Sequence, residues 1–222
     1  MKKIFRSMTI IVFTLLSTTI FAQDINWKSL QPSQKNILSL RAGFDNGSFA
    51  GAAYSYRLNT KMPLLVGAEY SMQVGENVFD DFKAKLGAQM NIVRTSNFFA
   101  TIKAQGIFRR YENPFVRMVN FGGEFSAVGG IYKKKWFAAA DIGFDKAITT
   151  HIKHSDLMKE YNPDVQTGWY IPTGGNFLFG VQGGYSFGDH DVVVKVARPV
   201  AQDLKTLSNV PYLFQIGWNV KW

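Results

Sequence analysis

Tyr212-Leu-Phe-Gln-Ile-Gly-Trp-Asn-Val-Lys-Trp222 decides how the rest of the chain is read. Tyr212, Phe214, Ile216, Trp218, Val220 and Trp222 occupy every second position, with Leu213, Gln215, Gly217, Asn219 and Lys221 between them. A period of two is a β-strand with one apolar and one mostly polar face. Eleven residues is also the span a tilted strand needs to cross a bilayer, about 9–11 residues.

The same alternation runs upstream. Leu38, Leu40, Ala42 and Phe44 form one face of a first strand, with Arg41 on the other. Asp45-Asn-Gly-Ser48 then reads as a tight hairpin. Further alternating segments start near Ser48, Leu64, Phe82, Phe98, Val119, Trp136, Phe177 and Val192, so the terminal strand makes ten. The segment Val192–Ala197 is weak and lies beside Pro199, which leaves eight strands as the alternative. Short turns (59–61, 94–97, 133–135, 189–190) alternate with mostly longer connections (74–80, 110–117, 149–175, 199–210). Short periplasmic turns, long outer loops and an even strand count are the marks of an all-β, transmembrane, antiparallel up-and-down barrel.

The other end of the chain carries an export signal. Lys2, Lys3 and Arg6 precede a short apolar core, and Ile20-Phe21-Ala22 offers a cleavage site. The expected organisation is a signal peptide over 1–22, a periplasmic N-terminal leader over 23–35 and a barrel domain over 36–222. Cysteine is absent, which excludes disulfides and thiolate metal sites. Without Lys2, Lys3 and Arg6, 22 of the 25 basic residues remain against 16 acidic ones, a balance of +6. These charges are scattered rather than gathered into a stripe, so no nucleic-acid partner is expected.

A water-soluble barrel also alternates, but with its apolar face inside and a charged face in water. Here the polar face is rich in Gly, Ser, Thr, Gln and Asn, with few charges. Arg41, Glu69, Lys85, Lys103, Glu124, Asp141 and Lys195 align near mid-height, as a packed polar lumen requires. Aromatics gather near the strand ends, at Tyr56, Phe98, Trp136, Tyr185 and Trp218 below and Phe44, Phe82, Phe108, Phe144 and Phe177 above. Such girdles mark membrane interfaces. The lumen charges read either as an internal plug or as the lining of a narrow conduit. Ten strands lies nearer the filled end of the size range.

The long connection 149–175 holds His151, His154, Tyr161, Trp169 and Tyr170, the candidates for loop recognition. His151-Ile-Lys-His154 is too sparse a pattern to define a metal site. Arg109, Arg110 and Arg117 flank another long loop and are candidates for phosphate contacts. No nucleophile elbow, metalloprotease motif or phosphate loop occurs, so neither catalytic residues nor a cofactor nor a metal is expected.

The export signal, the alternating strands, the loop asymmetry and the terminal strand Tyr212–Trp222 together resemble the small outer-membrane β-barrel proteins of Gram-negative bacteria, of the OmpX- and OmpW-like size class. In that class a closing aromatic strand is part of the insertion signal, which points to Tyr212, Trp218 and Trp222. The resemblance implies residence in the bacterial outer membrane, contact with its lipid and lipopolysaccharide, and handling by the barrel-assembly machinery. It implies a non-enzymatic barrel that binds a ligand or an envelope-complex protein partner through its long loops. A narrow pore or conduit for small solutes is the alternative.

Overall fold

The computed structural model describes residues 24–45, 47–74, 80–204 and 212–222. The expected signal peptide and Asn46 of the first hairpin lie outside these residues. So do parts of the connections 74–80 and 199–210. The strands are β1 (Asn36–Asp45), β2 (Gly47–Leu58), β3 (Leu64–Gln73), β4 (Asp81–Arg94), β5 (Phe98–Glu112), β6 (Val116–Tyr132), β7 (Trp136–His154), β8 (Gly168–Tyr170), β9 (Gly175–Phe187), β10 (His190–Ala201) and β11 (Leu213–Lys221). Each strand from β1 to β7 pairs antiparallel with the next, β7 pairs β9, and β9 to β11 continue the meander. The wall closes where β11 pairs β1, from Ile37 opposite Lys221 to Phe44 opposite Phe214.

Ten strands therefore form the barrel, with β8 as a short addition on the upper part of β7. The ten-strand expectation holds because β10 is a full wall strand that runs through Pro199, opposite Leu178. At the β9–β10 turn Gly188 takes φ +56°, the left-handed conformation that glycine adopts without steric cost.

Alternation sorts the side chains. Leu40, Leu86, Phe125, Ile142, Val181 and Ile216 face outward mid-strand, with Leu86 71 % and Val181 61 % exposed. A continuous apolar belt of this kind has no place in water and matches the lipid face of a membrane barrel. Above it an aromatic chain crosses neighbouring strands: Tyr70 to Phe82 at 5.6 Å, Phe82 to Phe108 at 5.8 Å and Phe108 to Phe121 at 5.1 Å. At the short-turn end Phe187, His190 and Trp218 stack in sequence. In the terminal strand Tyr212, Phe214, Ile216, Trp218 and Trp222 are exposed on this belt, while Gln215, Asn219 and Lys221 are buried inside.

The wall is uneven. β1 and β3 have 10 residues each, but β5, β6 and β7 have 15, 17 and 19. At about 3.3 Å per residue the long strands rise well above the membrane on one side of the barrel. β7 thus takes in the first six residues of the expected loop 149–175, because it continues to His154. The short helix α1 (Asp156–Tyr161) follows, capped by Ser155, whose Oγ accepts from Met158 N at 3.2 Å.

The residues before β1, within the expected leader, turn into the barrel. Asp24, Ile25, Asn26 and Trp27 are buried inside the barrel mouth. Ile25, Trp27 and Leu30 pack on Ile37, Leu65, Phe99, Val128, Tyr132, Phe137, Ala139 and Val193, all on the inner face of the wall. This end of the lumen has an apolar core, and the leader completes it.

Candidate functional site: a charged lumen closed by the N-terminal segment

The mid-height layer is built by strand parity. Arg41, Glu69, Lys85, Lys103, Glu124, Asp141 and Lys195 all point inward and are buried. Arg41 Nη1 donates to Glu69 Oε2 at 3.0 Å, Lys85 Nζ to Glu124 Oε2 at 2.7 Å, and Lys195 Nζ to Asp141 Oδ2 at 2.7 Å. Each pair spans an intervening strand, β2, β5 and β9 respectively. Lys103 lies within electrostatic reach of Glu124 and Glu69.

Small residues let these side chains reach across. Between Arg41 and Glu69, β2 presents Gly51 and Ala53. Between Asp141 and Lys195, β9 presents Gly180, and a Cβ there would collide with Asp141 Oδ1. Gly180 is a site residue that the sequence pattern alone does not single out.

Below this layer Lys221 Nζ donates to Asp191 Oδ1 at 2.7 Å and to Ser29 Oγ at 2.7 Å. Above it lies a third level, with Lys83 and Arg109 as register neighbours and Asp45 and Asp145 close enough to act on Lys83. Arg109 is therefore a lumen residue and cannot meet phosphates outside the barrel. β5 continues past it to Glu112, where Arg117 donates twice, Nε to Oε2 at 2.8 Å and Nη2 to Oε1 at 2.7 Å. Arg110 binds the same carboxylate at 2.5 Å, so both remaining arginines are committed to Glu112.

The leader is held by side chains rather than by strand pairing. Asn26 Nδ2 donates to Lys133 O at 2.8 Å and to Ser186 Oγ at 2.8 Å. Gln34 Nε2 donates to Asp189 Oδ1 at 2.8 Å, and Lys28 Nζ donates to Ser96 O and to Asn97 Oδ1. The segment rises from the short turns to Asp24, whose carbonyl accepts from Asn219 Nδ2 at 2.7 Å. The Gln182 amide, turned nitrogen-first, donates to Asp24 Oδ2 at 3.0 Å. Burial pushes the Asp24 carboxyl up from the usual range, and Lys195, Arg41 and Lys103 pull it back. The leader's tip thus meets the mid-height layer. A cavity in the wall's inner face, lined by Ser55, Leu65 and the layer's Glu69 and Lys103, measures about 20 Å³, room for about one water molecule.

The candidates for loop recognition do not converge. His151 and His154 sit on β7, and residues three apart on a strand face opposite sides. His151 meets Trp169 edge-on at 5.0 Å, and Trp169 stacks on Phe121 at 6.4 Å, extending the outer aromatic chain. Tyr170 donates to Gln166 O at 2.8 Å, within its own loop, and Tyr161 is exposed on α1. Among the described residues no three His, Asp or Glu side chains come together to hold a metal ion.

No family model matches the chain, and no curated protein matches it. Among solved structures it is similar to an outer-membrane channel from Pseudomonas putida F1, at TM-score 0.52 and 10 % identity over 90 % of this chain and 100 % of that one. A KdgM porin, solved in complex with disordered oligogalacturonate, aligns at TM-score 0.40 and 11 % identity over 84 % and 99 %. At such identity the likeness is one of fold, and it agrees with the lipid-facing belt: the chain is a ten-stranded antiparallel β-barrel of the bacterial outer membrane.

Proposed function

We propose that the chain is a narrow conduit for small solutes, shut at its periplasmic mouth by its own N-terminal segment. One observation carries this reading: the element that closes the lower lumen is not part of the wall. It docks through side chains and an apolar patch, and among the described residues its backbone bonds to the wall's backbone only at Lys35, where it joins β1. Without it, the wall presents an apolar collar at the lower mouth, Ile37, Leu65, Phe99 and Phe137 among its members, and polar and charged side chains above it up to Arg109. A barrel needed only as a membrane scaffold gains little from buried charges, because apolar packing of equal volume is as stable or more so. The fold shared with the Pseudomonas putida channel is compatible with passage. Recognition through the long loops draws no support from His151, His154, Trp169 or Tyr170, which face apart or pack on the wall.

The test is reconstitution of the processed, folded protein in liposomes and planar bilayers. Solute-driven swelling and discrete current steps are expected, rare with the leader in place and frequent once it is deleted. Silence from both proteins, each shown to be folded by its heat-modifiable gel mobility, removes the conduit reading.

A further inference from the structure

We infer that the mid-height layer is a receptor for a small anion, a carboxylate above all, and that Asp24 of the chain itself occupies it as an internal surrogate ligand. This rests on the conduit reading and adds the class of solute and the means of closure. The wall contributes four cations to the layer, Arg41, Lys85, Lys103 and Lys195, against three carboxylates, Glu69, Glu124 and Asp141. Asp24 is the fourth carboxylate, so these side chains number four cations against four anions with the leader seated. All eight groups are buried, and at that depth an uncompensated charge is strongly disfavoured.

The site is also shaped for a carboxylate. Gln182 supplies an amide donor to Asp24 Oδ2 at 3.0 Å. Lys195 and Arg41 exert the largest attractive pull on the same carboxylate. Arg41 Nη2 has no hydrogen-bond partner among the described residues, so the guanidinium fork retains a donor beyond its bond to Glu69. An arriving carboxylate would find the fork, the amide and an uncancelled positive charge once Asp24 leaves. The leader's lower contacts, Asn26 with Ser186 and Trp27 in the apolar core, hold Asp24 at this height.

The experiment is current measurement in a KCl gradient, with the processed chain and with a variant lacking residues 24–30. The deletion is expected to raise mean conductance several-fold and to move the reversal potential toward the chloride value. Acetate added to that variant should reduce the chloride current, and Lys195→Gln in the same background should abolish both the preference and the block. A folded deletion variant that conducts without anion preference overturns this inference and leaves the conduit standing. A silent one overturns both. Because the chain has no native cysteine, Asn26→Cys with Ser186→Cys offers a second test that keeps the leader intact. Its disulfide is expected to suppress the current until a reductant is added. Current that is unchanged by reduction overturns the role of the leader as a plug.

Discussion

The two ends of the lumen are filled by different means. At the short-turn end the wall turns apolar side chains inward, among them Ile37, Leu65, Phe99, Tyr132 and Phe137, and a separate segment brings Ile25 and Trp27 to meet them. At mid-height the wall fills itself with Arg, Lys, Asp and Glu side chains that reach across intervening strands, and above them its own Phe49, Leu178, Ala197 and Leu213 pack together. The lower filling can leave without breaking a strand pair. The upper filling cannot, because its members are the wall. A barrel can therefore be tightly packed and still contain one removable part.

Four substitutions test that division, and they are taken in order of expected effect. Glu124→Gln breaks the buried ion pair with Lys85, at a cost of about 3–5 kcal/mol to the whole barrel. Urea unfolding in detergent micelles should show the midpoint falling while the leader's protease protection follows the barrel. Trp27→Ala removes an aromatic from the lower core, and truncations of this kind cost about 3–5 kcal/mol. Here the loss should fall on leader docking alone: faster amide exchange over residues 24–34, with the barrel's unfolding midpoint held. A barrel that melts with Trp27→Ala would erase the distinction between the two ends.

Leu86→Arg probes the opposite face of the wall. A charge on the lipid side near mid-strand costs about 2–4 kcal/mol, so folding into vesicles should weaken. Gly180→Ala has the smallest effect, about 1–3 kcal/mol for an overpacked interior, because Asp141 must retreat from Lys195. Its reading is a drop in thermal stability, with the leader still protected from protease.

Alternation made the wall legible wherever one face meets lipid and the other the lumen. The terminal strand, the mid-strand belt and the inward parity of Arg41, Glu69 and Lys195 followed from that contrast. It fades above the membrane, where both faces of a strand meet water. For that reason His151-Ile-Lys-His154 reads as loop although β7 runs through it, and Arg109 reads as a strand's end although β5 continues to Glu112. The leader left no periodic trace, because many of its contacts join residues more than a hundred positions apart, Asn26 to Lys133 and Ser186 among them. A signal was nevertheless present. Ile37, Leu65, Phe99, Phe137 and Val193 hold inward positions at the short-turn ends of their strands. Apolar residues facing a polar lumen need partners: Phe99, Tyr132 and Phe137 meet one another, and the segment entering from below covers the cluster.

The junction between leader and wall carries one more consequence. Lys35 N and Asn36 N both donate to Trp222 O, at 2.8 and 2.9 Å, so the leader turns inward at the seam that closes the barrel. Asp24 is thus bound to its layer by a tether of about a dozen residues. A short flexible tether holds its end at an effective concentration of about millimolar. A solute that displaces Asp24 competes against that local concentration, so passage should respond to abundance: negligible at trace levels and rising as the solute approaches the same scale.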